Sequence, residues 1–368
     1  MRRVLHLRSS GAFLGAENVI LQLASSSQSL GFQSVVGVIH DRRDNMPALA
    51  LKAKSQGHEV IVFSASKRFD IECIKEIKSY VLNNDIDLIH THGYKEDIYL
   101  FLSRITLPVI ATNHLWKKTN FLLKLYALLD SLILSRFNKI VAVSQPVRKD
   151  MLSYPWLKSK NIDLISNGID SSQFCHSNIQ PVSELKCLAE KGVLLGTVSS
   201  LTIEKGHRFL IEALASQPLS GMSWYLVIVG DGPMLETLRA LVIELALTEK
   251  VTFLGQRDDI ANILAELEVF ILPSLNEGLP MALLEAMASE KAIISTRVGD
   301  IPSLVSDEHL GLLVEPAESL SLARAIEFAV NDSAWRSAAG RAAKKLVLSE
   351  YSATSMAGKY AEAYRMLI

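Results

Sequence analysis

Short apolar runs bounded by turns alternate along almost the whole chain with longer segments of helical period, and this alternation restricts the fold more than any other feature. Runs too apolar to face water on either side, separated by helices, are the signature of stacked βαβ units and parallel sheets. In the first half the expected strands cover residues 3–7, 33–38, 59–63, 88–90, 109–112 and 140–143, with helices over 16–30, 46–56 and 71–83. The pattern then starts afresh, with strands at 193–198, 224–229, 251–254, 269–272, 292–296 and 311–314. Helices there enter at His207, Pro233, Asp259, Pro280 and Leu320. A chain of 368 residues exceeds what one ordinary core holds. The expectation is two Rossmann-like, doubly wound α/β domains, 1–180 and 181–351, meeting in the polar, proline-containing stretch 177–191. A last helix over 352–368, with Tyr360 and Tyr364 as anchors, is free to pack on either domain, the N-terminal one included. Two such domains facing each other would set the carboxyl ends of both sheets around one central cleft, where ligands of these folds bind.

Composition bounds the function without naming it. The chain is 49% hydrophobic and 21% charged with a formal net charge of −1, so nothing in the balance points to nucleic acid. Between Tyr94 and Lys160, however, eleven Lys/Arg stand against four Asp/Glu. That excess fits an ordinary solvated face, an anionic inner-leaflet membrane surface or a lipid-phosphate acceptor. The stretch KKTNFLLKLYALLDSLILSRFNK within it fits either a core-facing helix with a polar back or an amphipathic membrane surface. Cys73, Cys175 and Cys187 are widely spaced and match no metal-ligand or disulfide framework, as in a cytoplasmic protein. The first residues lack a signal peptide's apolar run, and the longest apolar stretch, 121–134, is interrupted by Lys124 and Asp130. The expected location is the cytoplasm, with peripheral contact at the inner face of the membrane.

The strongest chemical signal is EGLPMALLE, Glu277 to Glu285, directly after the expected strand 269–272. Pro280 suits the first turn of a helix, whose free N–H groups and positive dipole end would then offer a diphosphate site. Glu277 in the loop and Glu285 on the helix can accept hydrogen bonds from paired hydroxyls of a sugar and a ribose. Spacing alone also fits two unrelated surface glutamates. Lys205-Gly206 at a helix entrance can act as a point charge on phosphate or as a solvated lysine. Gly11 and Gly15 in the first strand-to-helix loop allow close approach of backbone amides, but the spacing is not the G-x-G-x-x-G dinucleotide fingerprint. Gly230-Asp-Gly232-Pro233 reads as a strand end, a tight turn and a proline-initiated helix. His114 follows a strand and can donate to a sugar hydroxyl or a phosphate oxygen, while His90 reads as structural. No histidine–carboxylate set has metal-ligand spacing and no D-x-D lies in a strand-end loop, so no metal is expected. Ser144 lacks the G-x-S-x-G context of a serine hydrolase.

Taken in order, GAFLGAEN, DLIHTHGYK, ATNHLWKKT, IVAVSQPVRKDM, LISNGID, GTVSSLTIEKGH, LVIVGDGP, VTFLGQRDDI, NEGLPMALLEAMA and STRVGDIPSLV resemble the motifs of the GT-B-fold glycosyltransferases of family 4 over nearly the whole chain. The resemblance implies a retaining, metal-independent transfer of a hexose-type sugar from a UDP- or GDP-sugar donor to a glycan or lipid-linked acceptor, in envelope polysaccharide synthesis such as lipopolysaccharide or capsule. It implies that Glu285 holds the donor ribose, that Glu277 serves the transferring sugar and that Lys205 holds the diphosphate. By the same resemblance Gly15 offers its backbone to the distal phosphate, His114 contacts the donor sugar, and the amides around Gly278 and Leu279 complete the anion site. Gly230 and Gly232 would line the nucleotide pocket. One departure stands out: where the family commonly reads G-R-L, this chain reads Ser199-Ser200-Leu201, so Ser200 replaces an arginine expected on the phosphate, with Arg8 or Arg257 as relocated cations. A nucleotide-sugar epimerase or hydrolase on the same fold, and a non-catalytic sugar-nucleotide-binding subunit, are the alternatives.

Overall fold

The computed structural model describes residues 1–9, 15–43, 45–66, 70–114, 116, 121–174 and 179–368. The expected loop glycine Gly11, Cys175 and residues 117–120 of the basic stretch lie outside them. The chain divides into two compact units, one of Met1–Ile169 with Ala353–Ile368 and one of Asp170–Ser352.

In the first unit, β1 (Arg2–Ser9), β2 (Phe32–Asp41), β3 (Glu59–Ala65), β4 (Leu88–Thr91), β5 (Val109–Asn113), β6 (Lys139–Ala142) and β7 (Ile162–Leu164) form one parallel sheet in the order β3-β2-β1-β4-β5-β6-β7. Its helices are α1 (Gly15–Ser27), α2 (Ala48–Ser55), α3 (Ile71–Asn83), α4 (Tyr94–Ser103), α5 (Phe121–Leu134), α6 (Gln145–Leu152) and, from the far end of the chain, α15 (Ala353–Arg365). The inner strands, β4 to β6 above all, are buried on both faces, which is why they read as continuous apolar runs. Local signals fix the helix starts: the Asp70 carboxylate accepts from the amides of Glu72 and Cys73 to begin α3, and Ser144 caps α6. Helix α15 packs against α1, setting the Tyr364 ring edge-on to Phe32 at 5.3 Å between centroids.

The second unit, labelled in chain order after α6, holds β8 (Val193–Val198), β9 (Trp224–Val229), β10 (Val251–Gly255), β11 (Val269–Leu272), β12 (Ala292–Thr296) and β13 (Leu312–Val314), parallel and ordered β10-β9-β8-β11-β12-β13. Around them run α7 (Ser183–Ala189), α8 (His207–Leu214), α9 (Leu235–Glu244), α10 (Ile260–Glu266), α11 (Met281–Ala288), α12 (Ile301–Leu304), α13 (Ser319–Asn331) and α14 (Ser333–Glu350). Both units are therefore doubly wound Rossmann-like α/β folds. In each the strand order reverses once, between β1 and β4 and between β8 and β11. These are the switch points at which such sheets bind ligands.

Several expectations need correction. Pro280 is the residue before α11 (φ −76°, ψ 123°) and not part of its first turn. Pro233 does not open a helix, because α9 begins at Leu235 after a turn. The units meet at Ile169/Asp170, ahead of the stretch 177–191. Strand β7 and, in the second unit, helices α7, α12 and α14 were not foreseen.

Candidate functional site

In the second unit, the loops after β8 and β11 leave the sheet at its switch point and meet. Lys205 ends the first loop and its Nζ lies 2.7 Å from Oε1 of Glu277 in the second. The Ser274 hydroxyl donates to the same Oε1 at 2.7 Å. The Glu277 side chain is only 8% exposed and that of Lys205 24%, so the pair sits in a partly desolvated position where its attraction is strengthened. Backbone geometry locks the loops together: the Leu275 amide donates to the Glu204 carbonyl at 2.7 Å, and Thr296 Oγ1 donates to the Ser274 carbonyl at 2.6 Å. Gly206 is required here, since at φ +65° a Cβ would stand 2.0 Å from the Pro273 carbonyl oxygen.

Helix α11 starts two residues beyond Gly278-Leu279. The amides of Met281 and Ala282 have no helical acceptor, so the positive end of α11 follows directly on the loop that carries Glu277. Glu285 lies in the second turn of α11, half-buried, its carboxyl without a hydrogen-bond or ion-pair partner among the described residues. Burial alone raises its carboxyl to about 7. Gly230 and Gly232 hold a third loop against the first: at φ +135° a Cβ on Gly230 would meet the Ser199 carbonyl oxygen at 1.9 Å. The Leu201 amide donates to the Asp231 carbonyl at 2.9 Å. Their role in the structure is thus to seat the Ser199–Leu201 segment. Ser200 is exposed, and His207, held by Ser199 Oγ at 3.0 Å, is lowered to about 4 by burial and by Lys205.

The two cations named as substitutes for the missing arginine are both engaged. Arg257 pairs with Asp259 at 2.7 Å and with Glu184 at 3.5 Å, and Arg8, in the first unit, pairs with Glu17 at 2.9 Å.

At the first unit's switch point, Arg8 also donates to the His92 carbonyl, and the Ser9 amide to the Glu96 carboxylate. His114 follows β5 as expected. Burial, with Arg8 as the next cause, lowers its imidazole to about 3, so it is neutral, and its Nε2 has no hydrogen-bond partner among the described residues. Gly15 is the first residue of α1, and the loop before it, 10–14, is outside the described residues. Parallel register sets His6 beside His90. His6, His90 and His92 bring ring nitrogens within 4.8 Å of one another, but the first two are fully engaged: His6 with His92 and Ser34, His90 with Tyr364 and Thr112. This cluster is knitted by hydrogen bonds. Sequence reasoning missed Asp97 and Asp130, on α4 and α5, which are 3% and 2% exposed and line a cavity beside His114. The available signal was an aspartate inside the apolar run of α5.

The sequence models of two families divide the chain between them: that described as Glycosyltransferase Family 4 matches residues 14–173 and that described as Glycosyl transferases group 1 matches residues 186–346. The chain belongs to the GT-B glycosyltransferases. Among curated relatives of this GT-B chain, the Putative glycosyltransferase EpsF of Bacillus subtilis is 29% identical over 219 residues, 59% of this chain and 55% of that protein. The UDP-Gal:alpha-D-GlcNAc-diphosphoundecaprenol alpha-1,3-galactosyltransferase of Escherichia coli is 27% identical over 268 residues, 67% of this chain and 68% of that protein. The chain thus spans about half the length of the first of these relatives and about two thirds of the second. In fold, Anabaena Alr3699/HepE, solved with UDP and glucose, superposes with a TM-score of 0.84 over 100% of both chains at 20% identity.

Proposed function

We propose that this chain is a retaining, metal-independent hexosyltransferase that moves a sugar from a nucleoside-diphosphate sugar to a glycan or lipid-linked acceptor in envelope polysaccharide synthesis. The observation that carries the reading is the Lys205–Glu277 pair, held at the switch point of the second unit beside the open end of α11. Each part then has a task. Lys205 exchanges its carboxylate partner for the donor diphosphate, and the amides of Gly278, Leu279 and the start of α11 take the remaining phosphate oxygens. Glu285 accepts the ribose hydroxyls. The bond between the anomeric carbon and the phosphate oxygen breaks as charge grows on the leaving diphosphate, which these fixed positive groups stabilise. The acceptor hydroxyl oxygen bonds to the same face of the anomeric carbon, and its proton passes to the departing phosphate oxygen. Fixed protein cations and dipoles supply the charge neutralisation that a divalent ion supplies elsewhere.

UDP is the nucleotide to try first, because HepE was solved with UDP and with UDP-glucose and the Escherichia coli relative is named for UDP-Gal. A lipid-linked acceptor is supported by that relative's diphosphoundecaprenol substrate and by α5. The outward face of α5 carries Phe121, Leu122, Leu125, Leu128, Leu129 and Leu132, all exposed, with Lys124 among them. No described helix is long and apolar enough to cross a membrane. An exposed apolar stripe with basic neighbours suits peripheral docking on an anionic leaflet. The deciding experiment measures thermal stabilisation by UDP, GDP, ADP and their sugar conjugates, with and without chelator. A dose-dependent, chelator-insensitive shift that Lys205→Ala and Glu285→Ala abolish is the expected result. A shift that needs a divalent ion would overturn the metal-independent mechanism, and inversion at the anomeric carbon, read by NMR of the product, would overturn retention.

A further inference from the structure

When Lys205 leaves Glu277 for the donor diphosphate, one side-chain donor stays on the carboxylate. The Ser274 hydroxyl, fully enclosed, donates to Glu277 Oε1 at 2.7 Å, the same oxygen that takes Lys205 Nζ at 2.7 Å. Oε2 has no partner among the described residues. A carboxylate oxygen accepts two hydrogen bonds, so Oε1 is filled and both lone pairs of Oε2 are open. Two donors on one oxygen therefore set the direction of the carboxylate and leave the other oxygen for a guest.

The backbone behind Ser274 is held on several sides. Strand β11 ends at Leu272, two residues before it. The Ser274 carbonyl accepts from Thr296 Oγ1 on the neighbouring strand β12 at 2.6 Å, and the Leu275 amide donates to the Glu204 carbonyl at 2.7 Å. Beyond Glu277, the Asp300 amide donates to the Gly278 carbonyl at 3.1 Å. These bonds fix the loop before and after Glu277 without touching its side chain. Several rotatable bonds separate that backbone from the carboxyl, so a fixed loop alone does not aim it. Lys205 and Ser274 are the groups that do, and Ser274 has no second task in the site.

We propose that Ser274 is a positioning residue of the donor site. It keeps the Glu277 carboxylate, the group expected to serve the transferring sugar, aimed once Lys205 has turned to the diphosphate. The assignment rests on the transferase reading, in which Lys205 changes partner. A serine that only braced the loop would act on every ligand alike, because the same loop meets Glu204 beside Lys205 and leads into the amides of Gly278 and Leu279. A serine that aims Glu277 acts on the sugar and leaves the nucleotide alone.

Isothermal titration calorimetry on the full chain separates these roles. The probes are UDP, UDP-glucose, UDP-galactose and UDP-N-acetylglucosamine, or the GDP series if GDP is the nucleotide bound. In the wild type at least one conjugate should bind more tightly than its bare nucleotide. In Ser274→Ala the affinity for that conjugate should fall by about tenfold, the effect expected for one hydrogen bond to a charged group, while the affinity for the bare nucleotide stays unchanged. Ser274→Thr, which keeps the hydroxyl, should restore the wild-type ratio. Ser274→Cys, close in shape but a weaker donor, should fall between serine and alanine. If the added methyl of threonine disturbs the enclosed site, seen as lost nucleotide binding, the cysteine variant carries the comparison. An equal loss for nucleotide and conjugate would make Ser274 a brace and overturn the proposal. So would an alanine variant that binds every conjugate as the wild type does, or a wild type in which no conjugate gains over its nucleotide. Each of those results leaves nucleotide binding by the wild type standing. A wild type that binds no nucleotide would sink the transferase reading and this proposal together.

Discussion

Replacing Glu285 by glutamine isolates the energetic consequence of a carboxyl that burial raises from 4.5 to about 7. The folded unit binds this proton more tightly than the unfolded chain does. The stabilisation is therefore fully present below about pH 4.5 and is lost as the pH rises through about 7. At 1.36 kcal/mol per pKa unit the limiting difference is about 3.4 kcal/mol, which the half-exposed setting reduces to about 2 kcal/mol. Glutamine keeps the shape and removes the titration. The Tm of Glu285→Gln should equal that of the wild type near pH 4.5 and exceed it by about 4–8 °C at pH 8.5, given about 2–4 °C per kcal/mol for a unit of this size. Differential scanning calorimetry across that range is the assay. If the carboxylate receives ribose hydroxyls, UDP should also shift the wild type more at pH 8.5 than at pH 6, and shift the glutamine variant less at both. A Tm difference independent of pH, or a variant less stable at pH 8.5, would refute the reasoning.

Lys205→Ala removes the cation paired with a nearly enclosed Glu277 and leaves it only the Ser274 hydroxyl among the described residues. It should lower the Tm by a few degrees and cut kcat for transfer by about 10²–10³-fold, read in a donor-saturated assay. Gly206→Ala forces a left-handed backbone and a clash with the Pro273 carbonyl. A loss of about 2 kcal/mol or more in urea unfolding is expected, and a neutral result would show that the loop is looser than its contacts imply. Leu125→Asp with Leu129→Asp, both on the exposed face of α5, should abolish sedimentation with anionic liposomes while leaving nucleotide binding unchanged.

Much of the architecture was legible because buried parallel strands advertise themselves. The strands 193–198, 224–229, 269–272 and 292–296 and the helix 71–83 coincide with the structure at both ends. Strand β7 was missed because it has three residues at the sheet edge, one of them Asp163. Helix α14 was missed because its buried face is largely alanine and glycine, too weak a stripe to read by period. The contact between Lys205 and Glu277 joins residues 72 positions apart and follows from the strand order rather than from any local pattern. Asp97 and Asp130 were hidden for a similar reason. Asp130 looked like a break in an apolar run, yet it lies on the inner face of α5 with Ala127, Ser131 and Leu134, while the leucines of that run face out.

The first unit is assembled from both ends of the described chain, with the second unit inserted between Ile169 and Ala353. Tyr360 and Tyr364, both fully enclosed, fill its interior and bond Thr112 and His90. On a ribosome, the sheet of the first unit would therefore wait for about 180 further residues before these two core tyrosines arrive. The inserted unit, complete in itself, can fold during that interval. A nonsense codon just before Ala353 would accordingly damage the half of the molecule made first. It would leave the half made last intact.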